Sequence, residues 1–173
     1  MACGAGVAFA VKWDVELTVE QNARKRLPRV LAKFYAAGRK VQRHEAPATL
    51  HRFRLQGKRV RYTLELFRSV YGPGLGKLLK VLRKAQDALG AIQDCETANQ
   101  TVPHAEFQSA MKAQQVRLKE EFRAYWTQEF DKPGQEQLWL RYLKTYARAT
   151  VKTAPLARKN SQAAGTDRAA RRP

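Results

Sequence analysis

From Thr18 to about Val151 the large apolar residues recur at intervals of three and four, and no stretch alternates apolar with polar over a strand's length. That period belongs to the amphipathic helix. Thr18 with Gln21 three residues later reads as a capping box, and the run that follows carries Leu27, Val30, Leu31, Phe34 and Val41 on one face. Pro28 interrupts this run and predicts a kink or a late start. Pro47, tolerated in a first turn, opens a second helix expected to reach Val70 or Tyr71, where Gly72-Pro73-Gly74 breaks it. A third helix is expected from about Leu75 to Asn99, with Leu75, Leu78, Leu79, Leu82, Leu89 and Ile92 on one face and its end marked by Thr101 and Pro103. Phe107, Met111, Gln114, Leu118, Phe122, Tyr125 and Trp126 outline a fourth, which stops near the turn at Asp131-Lys132-Pro133-Gly134. Leu138, Trp139, Leu140, Leu143, Tyr146 and Ala147 outline a short fifth. Amphipathic helices joined by short turns predict an all-α fold, an antiparallel bundle of four to five helices.

The chain has 173 residues, which suits one domain. The helical region is expected to span 18–151, behind an N-terminal extension of residues 1–17. Residues 152–173 are poor in large apolar side chains and carry six basic residues against one acidic, which predicts a disordered basic tail. The formal charge is +18, and the tail supplies only +5 of it, so the excess belongs mainly to the helices. Such a surface concentrates polyanions: nucleic acid, a polyphosphate chain or an acidic membrane. Cys3 and Cys95 cannot build a disulfide framework, and the chain has no CxxC or HExxH spacing, so neither a metal nor a cofactor is expected. The apolar run from Val7 to Val11 is too short for a signal peptide or a membrane span. A soluble, cytoplasmic protein is the expectation.

The stretch HRFRLQGKRVRY, His51 to Tyr62, packs one histidine and five Arg/Lys into twelve residues. At about 100° per residue, Phe53, Val60, Leu64 and Phe67 share one arc, the expected buried face. His51, Arg54, Lys58 and Arg61 form a second arc beside it, and Glu65 is the one carboxylate in reach, four residues after Arg61. Arg52 and Arg59 fall outside both arcs. Lys77, Lys80 and Lys84 repeat the spacing on the third helix, nearly opposite its apolar face. A plain solvated surface would also account for such ridges. The first ridge, however, borders the apolar arc, where a lower dielectric strengthens its field. Arginine forks and lysine point charges together suit irregularly placed phosphate oxygens. Gly57 sits mid-helix, at a cost of up to about 1 kcal/mol against alanine unless helices approach closely there.

His51-Arg52-Phe53-Arg54, Lys58-Arg59-Val60-Arg61-Tyr62 and Glu65-Leu66-Phe67, followed by Gln86, Leu89-Gly90 and Gln93-Asp94, resemble the CHAD family, the conserved histidine α-helical domain. The resemblance covers about His51 to Glu96, with a fainter likeness from Asn22 to Val41. It implies helical bundles whose basic residues line a cavity that binds inorganic polyphosphate, without catalysis by the domain, and so a place near polyphosphate granules. His51, Arg54, Lys58, Arg59, Arg61 and Tyr62 fall on the family's basic motif, and Lys77, Lys80 and Lys84 join them as expected polyphosphate contacts. Gln86, Gly90 and Asp94 fall on the second motif, read as helix packing and salt-bridge support. The usual domain has two related halves, each with a His-containing basic helix, whereas HRFR occurs once here and the chain resembles the second half alone. Phe122, Tyr125, Trp126, Trp139, Tyr142 and Tyr146 exceed what a small bundle needs, which predicts a homodimer with two ridges facing one groove.

Three rival functions remain open on the sequence. A nucleic-acid-binding protein would grip the phosphate backbone through Arg24–Arg29 or the tail, although the ridge offers only Tyr62 for base stacking. A phosphotransferase would need a phosphate loop or clustered carboxylates. Gly72–Lys77 lacks that loop spacing, and Asp87 and Asp94 make only a faint metal pair. A scaffolding bundle would bind no anion at all.

Overall fold

The structure, a computed structural model, describes residues 14–147. The expected tail of residues 152–173 and most of the N-terminal extension lie outside the described residues. The chain forms α1 (Val19–Arg43), α2 (Pro47–Leu66), the single turn α3 (Arg68–Tyr71), α4 (Gly74–Thr101), α5 (Ala105–Tyr125) running into a π-helical turn (Trp126–Phe130), and α6 (Gln135–Thr145). Among the described residues there is no strand. α2 lies between α1 and α4, α5 packs along α4, and α6 closes over α1.

Local chemistry starts α1 where the sequence predicts. Thr18 Oγ1 accepts the Gln21 backbone N–H, and the Gln21 side chain accepts that of Thr18. Asn22, fully buried, fixes the preceding turn: its Oδ1 accepts the Asp14 N–H and its Nδ2 donates to the carbonyls of Asp14, Leu17 and Thr18. Pro28 is buried within α1, which begins at Val19, so no late start occurs. α2 ends earlier than expected. The chain leaves the helix at Phe67 (φ −99°, ψ 14°) and re-forms one turn as α3, and this bend brings Phe67, Val70 and Tyr71 all into the core. Gly72, at φ 67°, then turns the chain into α4.

The core is aromatic at its centre. Phe34 of α1 stacks on Phe53 of α2 with centroids 4.7 Å apart, and Trp126 stacks on Phe130 at 4.5 Å. The two rings stand at the first and last residues of the π turn. Gly38 makes room for the indole, since a Cβ there would lie 2.0 Å from Trp126 Cζ2.

Tyrosine hydroxyls then tie the elements together. Tyr35 donates to the Phe130 carbonyl, Tyr71 to that of Leu143, Tyr125 to that of Val81 and Tyr142 to that of Tyr71. Arg39 adds an ion cluster with Asp131 and Glu136, each at 2.6 Å. The aromatic surplus expected to feed a dimer contact is therefore largely consumed within the chain. Phe122, Trp126 and Trp139 are buried, and Tyr125 and Tyr142 are partly buried and hydrogen-bonded. Tyr146 alone of the six is exposed. The physical reason is that Phe122 and Trp126 pack on Phe53 of α2, Tyr125 is bonded to α4, and α6 packs on α1 with its Tyr142 bonded to α3.

Candidate functional site

The basic ridge of α2 lies along its seam with α4, because the two helices run antiparallel with the ridge beside the buried arc. Phe53, Val60 and Leu64 are buried as that arc requires. At the N-terminal end of α2, His51 Nδ1 donates to Gln93 Oε1 at 3.0 Å. One turn on, Arg54 faces Gly90, where an added Cβ would stand 3.9 Å from both Nε and Nη2 of the guanidinium. Further on, Arg61 Nε donates to Gln86 Oε1 at 2.9 Å, and its Nη1 meets Glu65 at 3.0 Å. Gln86, Gly90 and Gln93 of the second motif thus seat the cations of the first. Gly57 is buried between α1 and α4, where a Cβ would contact Phe34 at 3.4 Å and Gln86 Cγ at 3.5 Å. That close approach offsets the conformational cost of glycine inside a helix.

The α4 lysines do not act as one line. Lys80 lines an open groove with Glu65, Arg68, Gly76, Leu79 and Arg83, at the end of the seam where α2 gives way to α3. Lys84 turns toward α5, its ammonium 4.8 Å from the centre of the Tyr125 ring. Lys77 is exposed. Tyr62 is also exposed, with the Arg61 guanidinium 4.5 Å above its ring. Arg59 and Arg52 are exposed on the flank of α2 away from the ridge, and Lys58 is half-buried on the ridge itself.

Arg68 and Arg83 belong to this constellation and were not singled out from the sequence. Arg83 Nη2 lies 3.7 Å from Glu65 Oε1, so two arginines converge on one carboxylate. Its signal was present: Arg83, Gln86, Gly90 and Gln93 follow one another at three- and four-residue steps, the flank that α4 turns to α2. Arg68 had no such signal, because its position depends on the bend at Phe67.

Charge is distributed unevenly over the elements. Residues 19–66, α1 and α2 with their connection, hold thirteen Lys and Arg against three carboxylates. Within α4, Lys77, Lys80, Arg83 and Lys84 come first, and Asp87, Asp94 and Glu96 follow them toward the C-terminal end. The seam is consequently graded. Near His51 and Arg52 the surface includes Glu96, whereas the Lys58–Arg61 end meets Lys80, Arg83 and Arg68 across a single Glu65. The second end therefore carries the denser positive charge.

Among the described residues no three His, Cys, Asp or Glu side chains are grouped to hold a metal ion, and no helix is long and apolar enough to cross a membrane. No curated protein and no solved structure matches the chain. In comparison with known protein families, the CHAD domain matches residues 10–103, from the N-terminal extension through the whole of α1 to α4 and so including every residue of the seam. That is more than half of the 173 residues, and the chain belongs to the CHAD domain family.

Proposed function

We propose that the chain is a non-catalytic module that binds inorganic polyphosphate along the seam of α2 and α4. The observation that carries this reading is the groove at the basic end, where Arg68, Lys80 and Arg83 surround the lone carboxylate of Glu65, itself shared with Arg61. A phosphate chain entering there competes with one carboxylate for two guanidinium groups, and among the described residues Lys58 and Lys80 are in no ion pair. Charge-assisted bonds from arginine forks hold the chain, and the lysines accommodate its irregular phosphate positions. His51 and Arg54 extend the track toward its neutralised end. Tyr62, Arg59, Lys77 and Lys84 act as an outer field.

The groove is built within one chain. A homodimer would deepen it, although three of the six aromatic residues that suggested one are buried and two are partly buried within the chain. A cytoplasmic location near polyphosphate granules goes with this function. The nucleic-acid reading shares the phosphate chemistry but lacks a row of aromatic platforms, since Tyr62 lies on the outer side of α2 and carries a guanidinium on its ring. Competition separates the two. With labelled polyphosphate bound, unlabelled polyphosphate should displace it at far lower phosphate concentration than double-stranded DNA or single-stranded RNA. Equal displacement by nucleic acid at matched phosphate concentration would reverse the assignment.

A further inference from the structure

α2 is apolar on two opposite faces. Leu50, Phe53, Val60, Leu64 and Phe67 are buried in the bundle, yet Leu55, Tyr62 and Leu66 are 37%, 53% and 80% exposed. Those three, spaced i, i+7 and i+11, fall on one arc of the helix, and Ala48 extends it by two turns. Isolated exposed apolar residues are ordinary, but a line of them is not. Among the described residues no other helix exposes three. A helix apolar on both sides is one that packs on both sides, and among the described residues only one side is occupied.

Cations border the line on both edges: His51 and Lys58 on one, Arg52 and Arg59 on the other. We infer that this stripe docks an amphipathic helix of another protein, one with an apolar ridge and acidic residues along both edges. From Ala48 to Leu66 the stripe is about 27 Å long, the length of five helical turns. It is one residue wide, and the Arg61 guanidinium over Tyr62 narrows it further. That width matches the ridge of one helix, with anchors a turn or two apart, and is narrow for a face that lies in a lipid interface. A second copy is disfavoured by charge, since Lys58, Arg52 and Arg59 would meet their own kind across the contact. The inference goes beyond the polyphosphate reading and does not rest on it.

The test uses the full chain and a labelled synthetic peptide of about 18 residues, helical by design, with leucines along one face and glutamates on both edges. A control peptide keeps every glutamate and replaces the leucines with serine. In fluorescence anisotropy the leucine peptide should bind about tenfold more tightly than the serine peptide, the contribution of one or two buried anchors. The variant Leu66→Gln should largely erase that difference. Leu66 is exposed and lines neither the surface beside His51 nor the groove beside Lys80, so helical content and the polyphosphate isotherm should stay unchanged. Equal binding of the two peptides would reduce the effect to charge and overturn the inference, as would undiminished preference in the variant. A free chain that sediments as a dimer and is dissociated by the variant would assign the stripe to a second copy instead. Retention on phosphatidylserine vesicles that the variant abolishes, with no leucine-dependent peptide binding, would assign it to lipid.

Discussion

Arg61 is held on three sides: Gln86 accepts from its Nε, Glu65 from its Nη1, and the Tyr62 ring lies beneath the guanidinium. These contacts fix the plane of the fork before any anion arrives, so little side-chain entropy remains to be lost on binding. Lysine cannot reproduce this, because an ammonium has neither the plane nor the paired donors. Arg61→Lys should therefore weaken polyphosphate binding by roughly threefold to tenfold in a titration, although the net charge is unchanged. Affinity equal to that of the parent chain would mean that Arg61 contributes charge alone. Gly38 is the corresponding residue of the core. A methyl group there meets the buried Trp126 ring at 2.0 Å, and neither the ring nor α1 can yield cheaply. Gly38→Ala should cost about 3 kcal/mol or more, at or above the upper end of the overpacking range, and thermal unfolding by circular dichroism checks it. Little of this was legible at the residue scale. The spacing of Lys77, Lys80 and Lys84 suggested one row, but helical position alone does not say which neighbour a side chain meets. Lys80 joins the groove, Lys84 goes to Tyr125, and Arg83 takes the place beside Glu65.

Elements are joined here largely by phenolic hydroxyls. Tyr35 links α1 to the π turn, Tyr125 links α5 to α4, and Tyr71 and Tyr142 form a reciprocal pair of links between α3 and α6. Each link needs its proton. Burial holds Tyr125 up at about 12, well above the usual value near 10, with a further push from the Glu129 carboxylate. Burial raises Tyr35 and Tyr71 further still, and Asp131 and Glu136 add to the effect at Tyr35. The folded chain therefore keeps protons that the unfolded chain releases above pH 10. Stability from these groups is complete below pH 10 and is lost as pH climbs through about 12. Titration of phenolate absorbance should show a fraction of the six tyrosines ionising only as helical signal disappears. Ionisation of all six near pH 10 with the helices intact would contradict the clamps. At this scale the sequence was informative. Periodicity placed the main helices, and Thr18 and Gln21 marked the start of α1. What escaped was the bend at Phe67, around which Phe67, Val70 and Tyr71 are buried, and the π turn that carries the stacked Trp126 and Phe130. The apolar spacing marks neither, because positions three and four residues apart share a face in a regular helix as well.

The whole molecule separates its charge. α1, α2 and the start of α4 carry the cationic excess, whereas residues 105–145 hold seven basic residues against six acidic ones. Self-repulsion on the first face opposes folding, and packing on the second side compensates through the buried aromatic cluster and the Arg39 ion pairs. The central claim is that the graded seam, and not the overall charge, binds the phosphate chain. Polyphosphate isotherms at several salt concentrations test it most directly, comparing the parent chain with Lys80→Gln/Arg83→Gln and with a control that removes two cations elsewhere, Lys112→Gln/Lys119→Gln on α5. Each cation that contacts the ligand should contribute about one unit to the slope of log affinity against log salt. The account predicts a slope lower by about two for the α4 variant, a matching loss of affinity, and little change for the α5 variant. Equal losses in the two variants would contradict it, since binding would then follow net charge with no site at all.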